Sequence, residues 1–186
     1  MGIRGLTTFI HSRSRLYLED YELHDCNLVL DGNSIASNLY KWNRGYNDCF
    51  GGDYDQYVRV IIRFFDTLKQ CNITPYVIFD GGYEKRKLAT VIGRMKNKIQ
   101  AADNLNSVSE ETESVFPLFM REVFVDYILS LGIKVARCEY EADSEIACVA
   151  KALDCPVLSF DSYFYIFGSD YIPSPTLDTQ QVKEKN

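Results

Sequence analysis

Three short apolar segments of the sequence each lead into an aspartate. They are NLVL before Asp31, YVIF before Asp80 and PVLS shortly before Asp161. Nearly continuous apolar runs of this length, bounded by turn-forming residues, are typical of strands buried on both faces of a parallel sheet. The chain is therefore expected to fold around a parallel sheet whose strands end at acidic residues.

Helices are predicted in the segments between these strands. Apolar residues recur at helical spacing in segments 34–42, 54–71, 84–102, 116–131 and 141–153, and a further strand is predicted at 134–138. Right-handed crossovers between such elements bring the carboxyl ends of the strands to one edge of the sheet. The predicted class is α/β, with a central, mostly parallel sheet and helices on both faces.

Two of the predicted helices carry a distinct apolar stripe. In segment 54–71 it comprises Tyr57, Ile61, Phe64, Phe65 and Leu68, and this face must be buried. In segment 116–131 the helical spacing runs through Phe119, Val123, Tyr127 and Leu131. We expect Tyr57, Phe64 and Phe65 to be core residues rather than residues that stack on nucleic-acid bases.

Length and composition are those of one globular domain. The 186 residues suffice for a single core, and no run approaches the roughly 18–20 apolar residues of a bilayer span. The six cysteines form no CxxC pair, which argues against a zinc site or a disulfide framework. We expect a soluble, intracellular monomer with no membrane partner. Its domain would span residues 1–175, with a mobile loop near 103–115 and a polar tail at 176–186.

Five acidic residues are expected to converge at the strand ends: Asp31, Asp80, Glu141, Asp143 and Asp161. Clustered carboxylates repel one another, so a hard cation is needed to neutralise them, and oxygen-only ligation suits Mg2+ or Mn2+. With up to two ions bound, such a site supports phosphodiester hydrolysis. The simpler alternative is that the aspartates form turns or cap helices, and that Glu141 and Asp143 only favour a helix N terminus.

A basic segment lies between the second and third of these strands. The formal net charge of −6 argues against a nucleic-acid partner, but residues 85–98 carry six basic residues and no acidic one. Lys87, Arg94 and Lys98 line one side of the predicted helix. Lys87 and Arg94, two helical turns apart, could clamp a scissile phosphate. The alternative is that this side is simply a solvated face.

Several motifs occur in the order found in a known nuclease family. MGIRGL, LVLDGNSI, PYVIFDGG, the basic KRK…R segment, YEADSEIA and PVLSFDS…IFG resemble the flap endonuclease and XPG-like nuclease family over nearly the whole chain. The fragments GGDYDQY, CNITPYVIFDGG, PLFMREVF, EAD and CPVLS are most similar to the asteroid branch. The resemblance implies a PIN-like fold of the XPG N and I regions that uses divalent metals on branched or single-stranded DNA ends.

The resemblance also implies roles for particular residues. The five carboxylates match metal ligands, and Lys87 and Arg94 match the catalytic basic pair at the base of the family's helical arch. Gly2 matches a glycine exposed near the active site once the initiator Met is removed. The DNA-binding residues would be Gly2, Lys85, Arg86, Lys87, Arg94 and Lys98. The loop at 104–114 would lie at the arch or cap. DNA-repair partners and a nuclear location follow from the same resemblance.

Two departures from the family pattern support a second hypothesis. Tyr163 stands where the family has a second aspartate, and the chain ends before the helix-hairpin-helix region that grips duplex DNA, so the second metal site would be weakened. Asp170, in GSDY, arrives too early to replace the missing ligand and is read as part of a turn between strands.

The sequence therefore leaves two main functions open. The first is a structure-specific, asteroid-type DNA endonuclease that cuts single-stranded, flap or overhang DNA. The alternative is a catalytically impaired DNA-binding, scaffold or signalling adaptor module. A haloacid dehalogenase-type phosphatase is disfavoured, because residues 31–33 read Asp-Gly-Asn and lack the DxD pair which that chemistry needs.

Overall fold

The centre of the fold is a parallel sheet, seen in a computed structural model that describes residues 2–42, 51–104 and 115–178. The strands of the described residues are β1 (Asn27–Asp31), β2 (Thr74–Phe79), β3 (Lys134–Arg137), β4 (Val157–Ser159) and β5 (Tyr171–Pro173). Their order is β3-β2-β1-β4-β5, and each neighbouring pair is parallel. The predicted α/β class is confirmed, and β5 is an additional strand that the apolar runs do not indicate.

Among the described residues, two short helices precede β1 and further helices lie between the strands from β1 to β4. They are α1 (Leu6–His11), α2 (Ser14–Tyr17), α3 (Gly32–Trp42), α4 (Tyr54–Gln70), α5 (Leu88–Asp103), α6 (Met120–Ser130) and α7 (Asp143–Ala152). Single 3-10 turns occupy Lys85–Lys87, Ser162–Tyr165 and Ser174–Thr176. Helix α6 begins at Met120 and not at residue 116, where Pro117 disfavours helical backbone.

Side chains of the strands alternate between two apolar layers. Leu28 and Leu30 of β1 belong to a core cluster formed with α3, α4 and α6, whereas Val29 belongs to a second cluster formed with α7. Successive strand residues point to opposite faces, so both faces of the sheet are covered. The prediction of helices on both faces is confirmed. All five residues of the predicted α4 stripe are buried.

The predicted apolar stripe of α6 is wrong by one residue. Met120, Phe124 and Ile128 are the buried residues of this helix, whereas the Phe119 side chain is 56% exposed. The Phe124 ring lies 6.1 Å from that of Phe79 in β2. The segment FMREVFVDYIL has apolar residues on two adjacent stripes, so spacing alone does not decide which one faces the sheet.

The chain changes direction across the sheet between β1 and β4. From β1 it proceeds outward to β2 and β3, and it then returns to the other side of β1 for β4 and β5. In open α/β sheets, ligands bind in the crevice outside the carboxyl ends of the strands at such a switch point. The topology therefore places the candidate site at the ends of β1, β4 and neighbouring β2.

Some predicted segments extend past the described residues. Of the loop predicted near 103–115, residues 105–114 lie outside them, as do residues 179–186 of the tail predicted at 176–186. No described helix is both long enough and apolar enough to cross a membrane.

Candidate active site

The five predicted carboxylates lie close enough to influence one another. Asp31 ends β1, Asp80 follows β2, Asp161 lies two residues beyond β4, and Asp143 begins α7. Desolvation and, in decreasing order of effect, the negative charges of Asp161, Asp31, Asp80 and Glu141 together raise the pKa of Asp143 from 3.8 to about 7. The edge of the sheet therefore holds more negative charge than its protein surroundings neutralise.

Two serines join the ends of β1 and β4 around Asp31. The Ser34 backbone N–H donates to Asp31 Oδ1 at 3.1 Å, and the Ser159 hydroxyl donates to Asp31 Oδ2 at 2.7 Å. Ser159 Oγ also accepts from the Asp161 N–H at 3.0 Å. Desolvation raises the pKa of Asp31, while the bonds from Ser159 and Ser34 oppose that shift. This network fixes the position of Asp161 relative to Asp31.

Asp80 connects β2 to the beginnings of α3 and α7. Its Oδ2 accepts from Asn33 Nδ2 at 2.6 Å, and its Oδ1 accepts from the Ala142 backbone N–H at 2.8 Å. Arg121 of α6 donates to the Asp80 carbonyl oxygen at 3.2 Å. Since Ala142 directly precedes Asp143, the carboxylate of Asp80 also positions the start of α7.

A pair of glycines brings Glu141 to the end of β2. The N–H groups of Gly81 and Gly82 donate to the carbonyl oxygens of Tyr140 and Glu139, at 2.6 and 2.7 Å. A Cβ on Gly81 would overlap the carbonyl oxygens of Cys138 and Glu139. The two backbone segments can therefore approach this closely only because residue 81 has no side chain.

The oxygen donors of the site are engaged with protein groups. Oxygens of Asp31, Asp80 and Asp161 accept the hydrogen bonds of neighbouring Ser, Asn and backbone groups, including Tyr163 N–H to Asp161 Oδ1 at 3.0 Å. As these side chains stand, no three Asp, Glu, His or Cys residues among those described are grouped as ligands of one ion. The donor set itself is made of carboxylate oxygens, the ligands that a hard divalent cation such as Mg2+ prefers.

Two of the predicted basic residues lie beside the carboxylates. Lys87 Nζ pairs with Glu141 Oε2, and a small cleft is lined by Asp80, Glu141, Lys87 and Arg94 among others. The other basic residues predicted to bind DNA do not line this cleft. Arg86 pairs with Glu84, while Lys85 and Lys98 are exposed on the 3-10 turn and on α5. Helix α5 has no buried residue within its described length.

The other predicted positions surround this cluster. Gly2 packs against Ser162, the residue after Asp161, and the Ile3 N–H donates to Ser162 Oγ at 2.6 Å. Tyr163 lies in the 3-10 turn after Asp161, with its ring 6.4 Å from that of Phe167. Asp170 lies immediately before β5, and its carbonyl oxygen accepts from the Val157 N–H of β4.

Four polar residues of the site were not singled out from the sequence. Asn33, Ser34, Ser159 and Ser162 hold the carboxylates or the N-terminal segment. The sequence does offer a signal for Ser159, because a hydroxyl that closes an apolar strand predicted to be buried needs a buried partner. The structure buries this residue completely. The others occupy turn positions where Asn and Ser are common for local reasons.

Asp143→Asn is expected to stabilise the metal-free protein at alkaline pH. The pKa of Asp143 is about 7 in the folded chain, above its ordinary value of 3.8. The stability that comes from protonated Asp143 is therefore fully present below pH 3.8 and is lost as the pH rises through 7. The asparagine does not ionise, so in EDTA at pH 8 the variant should unfold about 2–4 °C higher, roughly 1 kcal/mol after solvent screening.

Thermal unfolding followed by circular dichroism at pH 4 and pH 8 measures this difference. At pH 4 the two proteins should differ little. The matched control is Glu145→Gln, which neutralises an exposed acid in the same helical turn. Equal unfolding temperatures for Asp143→Asn and the unmodified chain at pH 8 would contradict the electrostatic description of the site.

The chain is similar in sequence to a known family of proteins. Residues 1–101 match the family model of the XPG N-terminal domain. The whole chain is 50% identical to Protein asteroid of Drosophila melanogaster over 190 residues, 22% of that protein. It is 39% identical to the Single-strand DNA endonuclease ASTE1 of Homo sapiens over 169 residues, which cover 90% of the chain and 24% of that protein. The chain thus spans under a quarter of the length of these relatives.

A solved structure has the same arrangement of strands and helices. It is the catalytic core of Rad2 in complex with DNA substrate, with a TM-score of 0.56 at 16% sequence identity. The alignment covers 97% of this chain and 52% of that chain. At this level of identity the likeness concerns the fold, and it confirms the predicted PIN-like architecture.

Proposed function

Because this chain belongs to the XPG-like nuclease family, in its asteroid branch, we propose that it is a metal-dependent DNA endonuclease. The observation that supports the proposal most strongly is the group of carboxylates at the strand ends. Four other acidic residues act on Asp143 and help to raise its pKa to about 7. An uncompensated acidic group at the switch point of an α/β sheet is suited to binding divalent cations.

The proposed ligands are Asp31, Asp80, Glu141, Asp143 and Asp161, which would hold up to two Mg2+ or Mn2+ ions. When bound, such ions activate water and offset charge on a phosphodiester. Ser34, Ser159 and Asn33 keep Asp31 and Asp80 in place through the hydrogen bonds described above. Desolvation of the edge strengthens the attraction between the carboxylates and a cation.

Lys87 and Arg94 are proposed to bind the phosphate that is cleaved. Both line the cleft that contains Asp80 and Glu141, and Lys87 already pairs with Glu141. A carboxylate and a phosphate are both anions. The Lys87 ammonium could therefore exchange Glu141 for an incoming phosphate at little cost. Lys85, Arg86, Lys98 and the N terminus at Gly2 would contact the backbone of the same strand.

Single-stranded DNA, including flaps and overhangs, is the proposed substrate. Relatives that share about 39% identity are named single-strand DNA endonucleases. The described basic residues near the cleft offer few phosphate contacts, which is compatible with gripping one strand and not a long duplex. The likeness to these DNA endonucleases is also the reason to propose a nuclear location and DNA-repair protein partners.

Cleavage of labelled DNA tests this proposal. Single-stranded, 5'-flap, 3'-overhang and blunt duplex substrates would be incubated with the chain and either Mn2+ or EDTA. We expect products from the substrates with unpaired strands in Mn2+ and none in EDTA. Equal products in EDTA, or cleavage confined to blunt duplex, would contradict the proposed chemistry or the proposed substrate.

The second candidate is a catalytically impaired, DNA-binding module. It is favoured by the position of Tyr163 beside Asp161. The Tyr163 backbone N–H donates to Asp161, so its side chain begins beside the acidic cluster where the family pattern has a carboxylate. A phenol in that position supplies no carboxylate oxygen to a cation. Under this alternative the chain would bind DNA and metal without measurable turnover.

Tyr163→Asp is expected to increase Mn2+-dependent cleavage by about tenfold or more, because it adds a carboxylate next to Asp161. Rates on single-stranded DNA would be compared with those of Tyr163→Asn, which shortens the side chain similarly without adding charge. A detectable rate in the unmodified chain favours the endonuclease, and a rate found only in Tyr163→Asp favours the impaired module. Equal rates for Tyr163→Asp and Tyr163→Asn would show that the chain does not lack a metal ligand at residue 163.

A further inference from the structure

The N-terminal helices form a basic surface in an acidic chain. Residues 2–18 contain three arginines, one histidine and no acidic residue, although the formal net charge of the whole chain is −6. All of residues 2–18 are described, and within α1 and α2 only Ile10 is buried. A segment with so little buried surface is not explained by core packing.

Aromatic rings lie among these cations at the surface. The side chains of Phe9 and Tyr17 are 44% and 52% exposed, and their ring centroids are 5.8 Å apart. The Arg13 guanidinium lies over the Phe9 ring, 4.3 Å from its centroid. Partly exposed aromatic rings and positive charge therefore lie together at the surface. We refer to Arg4, Phe9, Arg13, Arg15 and Tyr17 as the N-terminal patch.

The arginines of the N-terminal patch are available to an anionic ligand. In the part of the chain that the structure describes, none of Arg4, Arg13 and Arg15 forms a salt bridge with a carboxylate. A protein that needed these charges only for solubility would gain nothing from exposing two aromatic rings beside Arg13. Guanidinium groups next to exposed rings are instead the combination that holds phosphates and stacked bases.

The N-terminal patch is connected to the carboxylate cluster. The Ile3 N–H donates to Ser162 Oγ, and Ser162 directly follows Asp161. From there the six residues of α1 rise only about 9 Å along the helix axis. A strand of DNA with its phosphate at the cluster could therefore reach the patch within a few nucleotides.

We propose that the N-terminal patch is a binding site for single-stranded nucleic acid, with bases stacked on Phe9 and Tyr17 and phosphates bound by Arg13, Arg15 and Arg4. This inference rests on the proposed nuclease function and extends it, since it names a second contact surface for the substrate strand. An acidic protein partner is the competing occupant. Two exposed rings beside the Arg13 guanidinium favour a ligand whose flat bases alternate with negative charges.

Binding of a fluorescein-labelled, single-stranded oligonucleotide, measured by anisotropy in EDTA at several salt concentrations, tests the proposal. Arg13→Gln with Arg15→Gln should weaken binding about tenfold or more and lower the slope of log affinity against log salt by about 1.4, as expected for two lost phosphate contacts. Phe9→Leu with Tyr17→Leu should weaken binding at least about fivefold with an unchanged salt slope.

The matched control is Arg59→Gln with Arg63→Gln, which removes two exposed arginines from α4. Its affinity should stay within about twofold of the unmodified chain, and circular dichroism would establish that each variant is folded. If the Arg13 and Arg15 variant loses no more affinity than this control, the patch does not bind nucleic acid. Because binding is measured in EDTA, this failure is separate from failure of the nuclease proposal, which is a lack of Mn2+-dependent cleavage.

Discussion

Asp80→Ala is expected to lower the rate of Mn2+-dependent DNA cleavage by about 10²–10³-fold, because a metal ligand supports several kcal/mol of charge stabilisation. Asp80 has a central position in the candidate site. Its two carboxylate oxygens accept from Asn33 and from Ala142, and its charge contributes to the raised pKa of Asp143. The substitution would remove a proposed ligand and also the bond that positions the start of α7.

The two effects of that substitution can be separated with further variants. Asp80→Asn keeps the size of the side chain but removes its charge, so it should lose almost as much activity while retaining more stability. Asp66→Ala removes an exposed acid from α4 and serves as the control for lost charge elsewhere. Equal cleavage rates for Asp80→Ala and Asp66→Ala would show that Asp80 does not belong to the active site.

Gly81→Ala is expected to destabilise the protein by about 3 kcal/mol or more and to abolish cleavage with it. The added Cβ would overlap the carbonyl oxygens of Cys138 and Glu139, which are backbone atoms and cannot rotate away. Relief requires separation of the β2 end from the segment that carries Glu141. Thermal unfolding should show a midpoint lowered by roughly 6–12 °C for a chain of this size.

The neighbouring glycine supplies the control for this prediction. A Cβ on Gly82 would lie 3.5 Å from the Glu139 carbonyl oxygen, an ordinary contact distance. Gly82→Ala should therefore change the unfolding midpoint by only a few degrees and keep most of the activity. Similar midpoints for the two alanine variants would mean that the close approach at Gly81 is not needed for folding.

Much of the fold follows from the sequence for simple physical reasons. Strands such as β1 and β2 are continuous apolar runs because helices cover both of their faces, and α4 has one clear stripe from Tyr57 to Leu68. The stripe of α6 was misplaced since that segment offers two apolar faces. Strand β5 and helices α1 and α2 are short and carry little periodicity, so no pattern indicates them.

The acidic part of the site could be located from sequence, whereas its supporting groups could not. Aspartates at the ends of parallel strands meet because topology brings those ends to one edge. The hydrogen bond between Asn33 and Asp80 joins residues 47 positions apart, and that between Ser159 and Asp31 joins residues 128 apart. Such contacts depend on strand order and register, which local patterns do not contain.

Binding of Mn2+, measured from the electron paramagnetic resonance signal of the free ion, would show whether the carboxylates at the strand ends hold divalent cations. Titrations of the unmodified chain, Asp80→Ala and Asp66→Ala would be compared at pH 8. We expect saturable binding of one or two ions by the unmodified chain and by Asp66→Ala, and a large loss of affinity in Asp80→Ala. No binding by the unmodified chain, or equal binding by all three proteins, would contradict a metal site at the strand ends.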